Sequence, residues 1–163
     1  MVQVGQAAAR AGTAAGEPSL VFRAGPLLGA LRLSEVVETM RPLPVHHLAG
    51  TPPFISGICV MRGRPTLVVD VARLLSGGDT AAERYVAVRT GRGTVALATG
   101  AVLGIRTLAA DDEGRHAALL GEAPARLIAA VGTVDAQPVL LLQSLHLVPD
   151  EAWTAAAATA TAS

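Results

Sequence analysis

The side chains in this chain that could do chemistry are few and scattered. His46-His47 is the one tandem of imidazoles, and such rings hold transition metals when both reach one ion. Neighbours on an extended chain point to opposite sides, and no Cys, Asp or Glu follows within ten residues, so the pair reads as a solvated loop. His116 and His146 stand far from them. Asp111-Asp112-Glu113 lacks the alternate spacing, central glycine and distal glutamate of a calcium loop and reads as a solvated acidic turn. Gly77-Gly78 and Gly91-Arg92-Gly93 are followed by no Lys-Ser/Thr, so they are turns and not phosphate loops. Ser34, Ser56, Ser76 and Ser144 sit in no Gly-x-Ser-x-Gly elbow, and Asp70 precedes Val-Ala instead of the Thr/Ser-Gly of an aspartic protease. No acid/base pair, nucleophile or metal set emerges. The expectation is a protein with no enzymatic activity, no cofactor and no metal.

Arg62-Gly63-Arg64 is different. Two guanidinium groups flank a glycine at a tight corner, and Glu38 or Asp70 could hold Arg62 in an ion pair. A guanidinium held in that way presents a fixed fork to a partner's carboxylate or carbonyl groups. That is the chemistry of recognition. It points to a binding module.

Composition agrees. The chain has 163 residues, enough for one sizeable core or two small ones sharing an interface. Its apolar fraction is 51%, yet its aromatic residues are only Phe22, Phe54, Tyr85 and Trp153, so the core is aliphatic. Formal charge is zero and no basic run exceeds two residues, which removes the general attraction to nucleic-acid backbones. Cys59 is the single cysteine; it can form no internal disulfide and falls inside an apolar strand as a buried, inert thiol. The N-terminal run has no basic segment followed by an unbroken apolar one, and no apolar stretch approaches the roughly 20 residues that cross a bilayer. A cytoplasmic location, without membrane insertion, is expected.

The elements that must position Arg62 lie in Pro52–Leu75. Phe54, Ile55, Ile58, Val60 and Met61 lead to the turn, Leu67–Val69 follow Pro65, and Asp70 stands where it would cap a short helix over Val71–Leu75. Gly77-Gly78-Asp79 would close that helix. Further strands are predicted at Leu20–Arg23, Leu28–Leu33, Tyr85–Thr90, Thr94–Ala98, Arg126–Val134 and Pro138–Leu142. Ser34–Thr39 would form a helical turn leading into another short strand, and Arg41–Pro53, with four prolines, a stiff extended connection. The fold class is all-β. Residues 1–18 and 154–163 have little to bury and are expected to be disordered tails around a domain over 19–153.

A weak internal duplication accompanies this. Residues 60–75 align with 133–148 at an offset of 73, Pro65 over Pro138, while 20–38 align with 86–104 at an offset of 66. The difference is a loop longer by 7 within Ala109–Gly121. Two similar subdomains are implied, the second half beginning near residue 85, each too small to be comfortable alone.

Leu20-Val21-Phe22, Gly25, Val36 to Glu38, Pro52 to Gly57, Arg62-Gly63, Pro65 and Val69-Asp70 together resemble the CheW family of chemotaxis coupling proteins. The resemblance covers about Ser19–Val148 and is most specific through Gly57–Leu75. It implies two similar small five-stranded barrels, like Src-homology-3 barrels, packed together with a few short helices. It implies a non-catalytic adaptor coupling chemoreceptors (methyl-accepting chemotaxis proteins) to the histidine kinase CheA. The partners would be the regulatory domain of a CheA-type kinase and the cytoplasmic coiled-coil tip of a receptor, with membrane receptor arrays reached only through them. Val36 and Glu38 match the family's receptor-contact segment, and Arg62 its arginine in receptor and kinase coupling. Gly57, Gly63, Pro65 and Asp70 match signature positions with structural roles. The chain departs from the family at Val60, usually Asn, at Leu28-Gly29, usually aromatic, and at Thr39, usually aliphatic. Those departures suit a divergent chemosensory system controlling surface motility or gene expression. A small-ligand-binding β-barrel sensor is the competing class, with its cavity between the halves.

Overall fold

The computed structural model describes residues 17–78, 81–110, 127–144 and 147–162. Asp79, Asp111-Asp112-Glu113, His116, His146 and the first sixteen residues lie outside these, with whatever was expected of them.

Period-two alternation here serves two interiors at once. Strand β1 (Pro18–Ala24) sends Leu20, Phe22 and Ala24 to one side and Val21 to the other, and all four are buried. β5 (Arg64–Asp70) divides Leu67 and Val69 from Val68, and β7 (Thr94–Thr99) divides Val95 and Leu97 from Ala96 and Ala98. Strands buried on both faces read as continuous apolar runs, which is why these segments show no polar face.

The residues sort into three clusters. One, around Val21, Leu28, Ala30, Val139 and Leu141, fills a first sheet. Another, around Cys59, Met61, Val68, Tyr85, Ala87, Ala96 and Ala98, fills a second. The largest, with Phe22, Leu31, Leu67, Leu97 and Leu142, is the seam between them. Small side chains dominate the second interior because a tightly coiled sheet leaves little room inside.

The remaining strands are β2 (Leu27–Arg32), β3 (Val36–Met40), β4 (Ile55–Met61), β6 (Arg84–Arg89), β8 (Val102–Thr107), β9 (Ala109–Ala110), β10 (Ile128–Val134) and β11 (Gln137–Leu142). They form one six-stranded sheet, β8-β1-β2-β11-β10-β9, and one five-stranded sheet, β3-β6-β7-β5-β4. Neither hydrogen-bond ladder closes by itself, but each sheet is drawn round. In the first, β8 and β9 are one continuous stretch serving both edges. In the second, chain leaving β3 reaches the far edge, where His46 and Ile58 exchange backbone hydrogen bonds of 2.8 and 2.9 Å. The expected all-β fold of two packed subdomains is the one observed, with open sheets of six and five strands in place of two closed five-stranded barrels.

The duplication is written into the register. β4 and β10 carry the same irregularity, between Ile55 and Gly57 and between Ile128 and Ala130. β3 opposite β6 skips Val37, and β8 opposite β1 skips Leu103, the residue at the matching place. Each sheet nevertheless takes β-strands from both halves. β2 pairs in parallel with β11, and β5 in parallel with β7.

Two expectations fail in the second half. β8 is not among the strands predicted, because it is an edge strand exposed along most of its length and shows no buried alternation. Residues 154–162 do not form a tail. They continue a helix that begins at Asp150 and passes through the expected boundary at residue 153. We call it α2 (Asp150–Ala162), after α1 (Val71–Ser76). Alanine favours helix, Asp150 and Glu151 suit its first turn, and Ala152, Trp153, Ala155 and Ala156 pack on the seam. Arg92 clamps it, at 2.7 Å from Asp150 and with its guanidinium 5.6 Å from the centre of the Trp153 ring. Small residues read as low burial, and tertiary packing supplied what propensity could not.

Candidate protein-interaction surface

The candidate surface begins at a two-residue turn. Met61 pairs with Arg64 across the β4–β5 hairpin, leaving Arg62 and Gly63 as the loop, with φ of 52° and 77°. Positive φ at both central positions is the turn whose twist matches the flanking strands, and Gly63 adopts it without steric cost. Arg62 adopts it too, so its side chain leaves the hairpin from a constrained backbone.

Glu38 arrives from the other edge of the same sheet. The irregularity that skips Val37 sets Glu38 opposite Ala87. Arg62 donates from Nε to Glu38 Oε2 at 2.5 Å and from Nη2 to Oε1 at 2.6 Å, a two-pronged pair across the gap between β3 and β4. Of the two carboxylates expected as candidates, Glu38 is the partner. Asp70 instead accepts from the Arg73 backbone N–H at 3.1 Å and caps α1, which Gly77 closes at φ 74°. The Arg62 side chain is 76% exposed, that of Glu38 24%. Hydrogen bonds from Arg62 hold the Glu38 carboxyl below its ordinary range, and the same bonds raise Arg62.

Around this pair the surface is apolar. Val60, on the outward side of β4 opposite Pro65, is 60% exposed, and Val37 is 44% exposed. Val36 lies deeper and packs against the seam cluster behind Glu38. Val36 was the valine expected at this surface, but it is Val37, on the outward side of the alternating strand, that is exposed. Of Val37 and Val60, Val60 is the more exposed.

Gly57 shapes the same hairpin from behind. Its φ is 144°, and a Cβ there would lie 2.1 Å from the His46 carbonyl oxygen, so the His46–Ile58 bridge needs glycine. Cys59, two residues on, is fully buried, and burial pushes its thiol up. It is not part of the surface.

A second face stands at the matching place on the other sheet. Leu103 and Ile105 on β8 are 38% and 56% exposed. Arg106 lies 3.5 Å from Asp135, which occupies the β10–β11 turn where the first repeat has Arg62. The turn is cationic in one repeat and anionic in the other.

A family profile described as CheW-like domain matches residues 18–152. The chain belongs to that family. Among solved structures, the scaffolding protein TtCheW from Thermoanaerobacter tengcongensis superposes with a TM-score of 0.69 at 18% identity, covering 80% of this chain and 91% of that one. At that identity the likeness establishes the fold. No curated protein matches the chain. The CheW-like architecture thus places a turn arginine and its carboxylate partner at one exposed, apolar-flanked edge. Among the described residues, no helix is long and apolar enough to cross a membrane.

Proposed function

We propose that this CheW-like protein is a non-catalytic adaptor of bacterial chemosensory signalling that couples chemoreceptors to a CheA-type histidine kinase. The observation that carries the reading is the pair of related but unlike faces. An adaptor must bind two partners at once, and duplication followed by reversal of the turn charge yields two docking surfaces on one rigid body. The face of Val37, Glu38, Val60 and Arg62 takes the cytoplasmic coiled-coil tip of the receptor. Its exposed valines supply the desolvated centre and the locked guanidinium the directional contact. The face of Leu103, Ile105, Arg106 and Asp135 takes the regulatory domain of the kinase. The protein works in the cytoplasm and reaches membrane arrays through these partners.

Val60 beside Arg62 makes the receptor face more apolar than the family's usual Asn. That favours a divergent receptor set, as in systems controlling surface motility or gene expression. The test is co-sedimentation with a receptor cytoplasmic fragment and with a CheA regulatory domain from the same genome. Arg62→Ala is expected to lose the receptor and keep the kinase domain, and Leu103→Asp/Ile105→Asp to do the reverse. Absence of either complex at high protein concentration overturns the reading.

A further inference from the structure

Arg32, Arg62, Arg92 and Arg106 each lie beside a carboxylate, at 3.7, 2.5, 2.7 and 3.5 Å. Arg41 and Arg84 have no such partner among the described residues, and they line one cleft. The antiparallel β3–β6 ladder ends with Met40 opposite Tyr85, and Arg41 and Arg84 are the next residues at that end. Like charges at the same end of two paired strands repel. Two arginines lining one cleft at the end of paired strands are therefore a cost to the fold that an anion bound there would offset.

The cleft has a volume of about 640 Å³ and is lined by Arg41, Pro42, Glu83, Arg84, Ala101 and Val102. It opens where the end of β3, the start of β6 and the β7–β8 corner meet, so both sheets contribute to it. Among the described residues, Glu83 is the one carboxylate on its wall and stands beyond ion-pair distance of either arginine. We propose that this cleft is an oxyanion site that binds the phosphate group of a small hydroxyl-bearing phosphate ester. A carboxylate has two oxygens and satisfies one guanidinium fork. A phosphate has enough oxygens and charge to accept from both forks and offset both cations. The volume exceeds that of a bare phosphate, Pro42, Ala101 and Val102 offer an apolar wall to the rest of the ester, and Glu83 can accept from its hydroxyl groups.

The site is independent of the adaptor reading, and its test uses the protein alone. Thermal unfolding and titration calorimetry are followed with inorganic phosphate and glycerol 3-phosphate, against sodium chloride at matched ionic strength and against succinate. The wild type is expected to gain stability saturably with both phosphates, glycerol 3-phosphate binding more tightly, and Arg41→Gln/Arg84→Gln to show no gain. Without anion, the double variant is expected to melt no lower than the wild type, because repulsion has been relieved. Glu83→Gln, which removes a neighbouring negative charge and leaves the arginines in place, is expected to bind inorganic phosphate several-fold more tightly. An equal response of wild type and double variant overturns the proposal. So does protection by chloride or succinate matching that by phosphate, or an unchanged phosphate affinity in Glu83→Gln.

Discussion

Arg62 combines three features at residue scale. It is largely exposed, sits in a left-handed turn, and still has both prongs of its fork on Glu38. An exposed ion pair adds little to stability, so its value lies in orientation. Arg62→Ala is therefore expected to leave the melting temperature nearly unchanged while weakening receptor binding by about tenfold or more, as an anchor arginine does. Arg62→Lys should resemble Arg62→Ala, because an ammonium cannot reproduce the planar two-pronged contact. A loss of stability as large as the loss of binding would make the pair structural. The pH dependence has a definite sign. The Glu38 carboxyl is lowered in the folded protein, so whatever the pair contributes is fully present above the ordinary carboxylate value, about 4.3. It is lost only as pH falls through the lower folded value. Receptor affinity, followed by titration at fixed ionic strength, should be flat from neutral pH down to that range. A decline beginning near pH 6 would place control in another group. The residue types of this pair were legible from the chain. Its geometry was not, because Glu38 and Arg62 meet only when opposite edges of a curled sheet come together.

At the scale of elements, the two repeats run a comparison that mutations can exploit. The β4–β5 turn is Arg62-Gly63, at φ 52° and 77°, and the β10–β11 turn is Asp135-Ala136, at 49° and 67°. A left-handed alanine costs about 1 kcal/mol relative to glycine. Ala136→Gly should therefore stabilise by up to about 1 kcal/mol and Gly63→Ala should destabilise by a similar amount, as read from urea midpoints with unchanged slope. Equal effects of one sign would mean the turns are not equivalent. Gly57→Ala should be far worse, about 3 kcal/mol or more, because the added carbon meets backbone, the His46 carbonyl, and not a movable side chain. Gly29→Ala is an intermediate case. Its carbon would lie 2.7 Å from the ring of Phe22, its cross-strand partner, a side chain and not backbone. Elements were most legible where alternation, turn chemistry and capping agreed, as through Gly57–Leu75. β8 was lost because an exposed edge strand has no alternation to show. α2 was lost because alanine and threonine look the same in a tail as on a packed face.

At whole-molecule scale, the repeat suggests two domains and the pairing denies it. The first sheet combines β1 and β2 from the first half with β8 to β11 from the second, and the second sheet combines β3, β4 and β5 with β6 and β7. Both parallel contacts, β2 with β11 and β5 with β7, join the halves. The seam cluster draws on both sheets as well, from Phe22 and Leu31 to Val86, Leu97 and Leu142. A chain cut between Ser76 and Arg84 would leave each fragment with strand edges unpaired and one side of its apolar strands exposed. Neither fragment should then fold alone, although each carries one full set of repeat strands. The intact protein should unfold in a single step, with Trp153 fluorescence and far-ultraviolet circular dichroism changing together, despite α2 being clamped at only one end. Refolding should be slow for a chain of this size, because the β2–β11 ladder must bring Leu28 to Val139 before the first sheet has a centre. Mixing the two fragments should restore the native spectrum if exchange between halves is what holds the structure together. Two separate transitions in the intact chain, or one fragment folding by itself, would show that each repeat carries its own core.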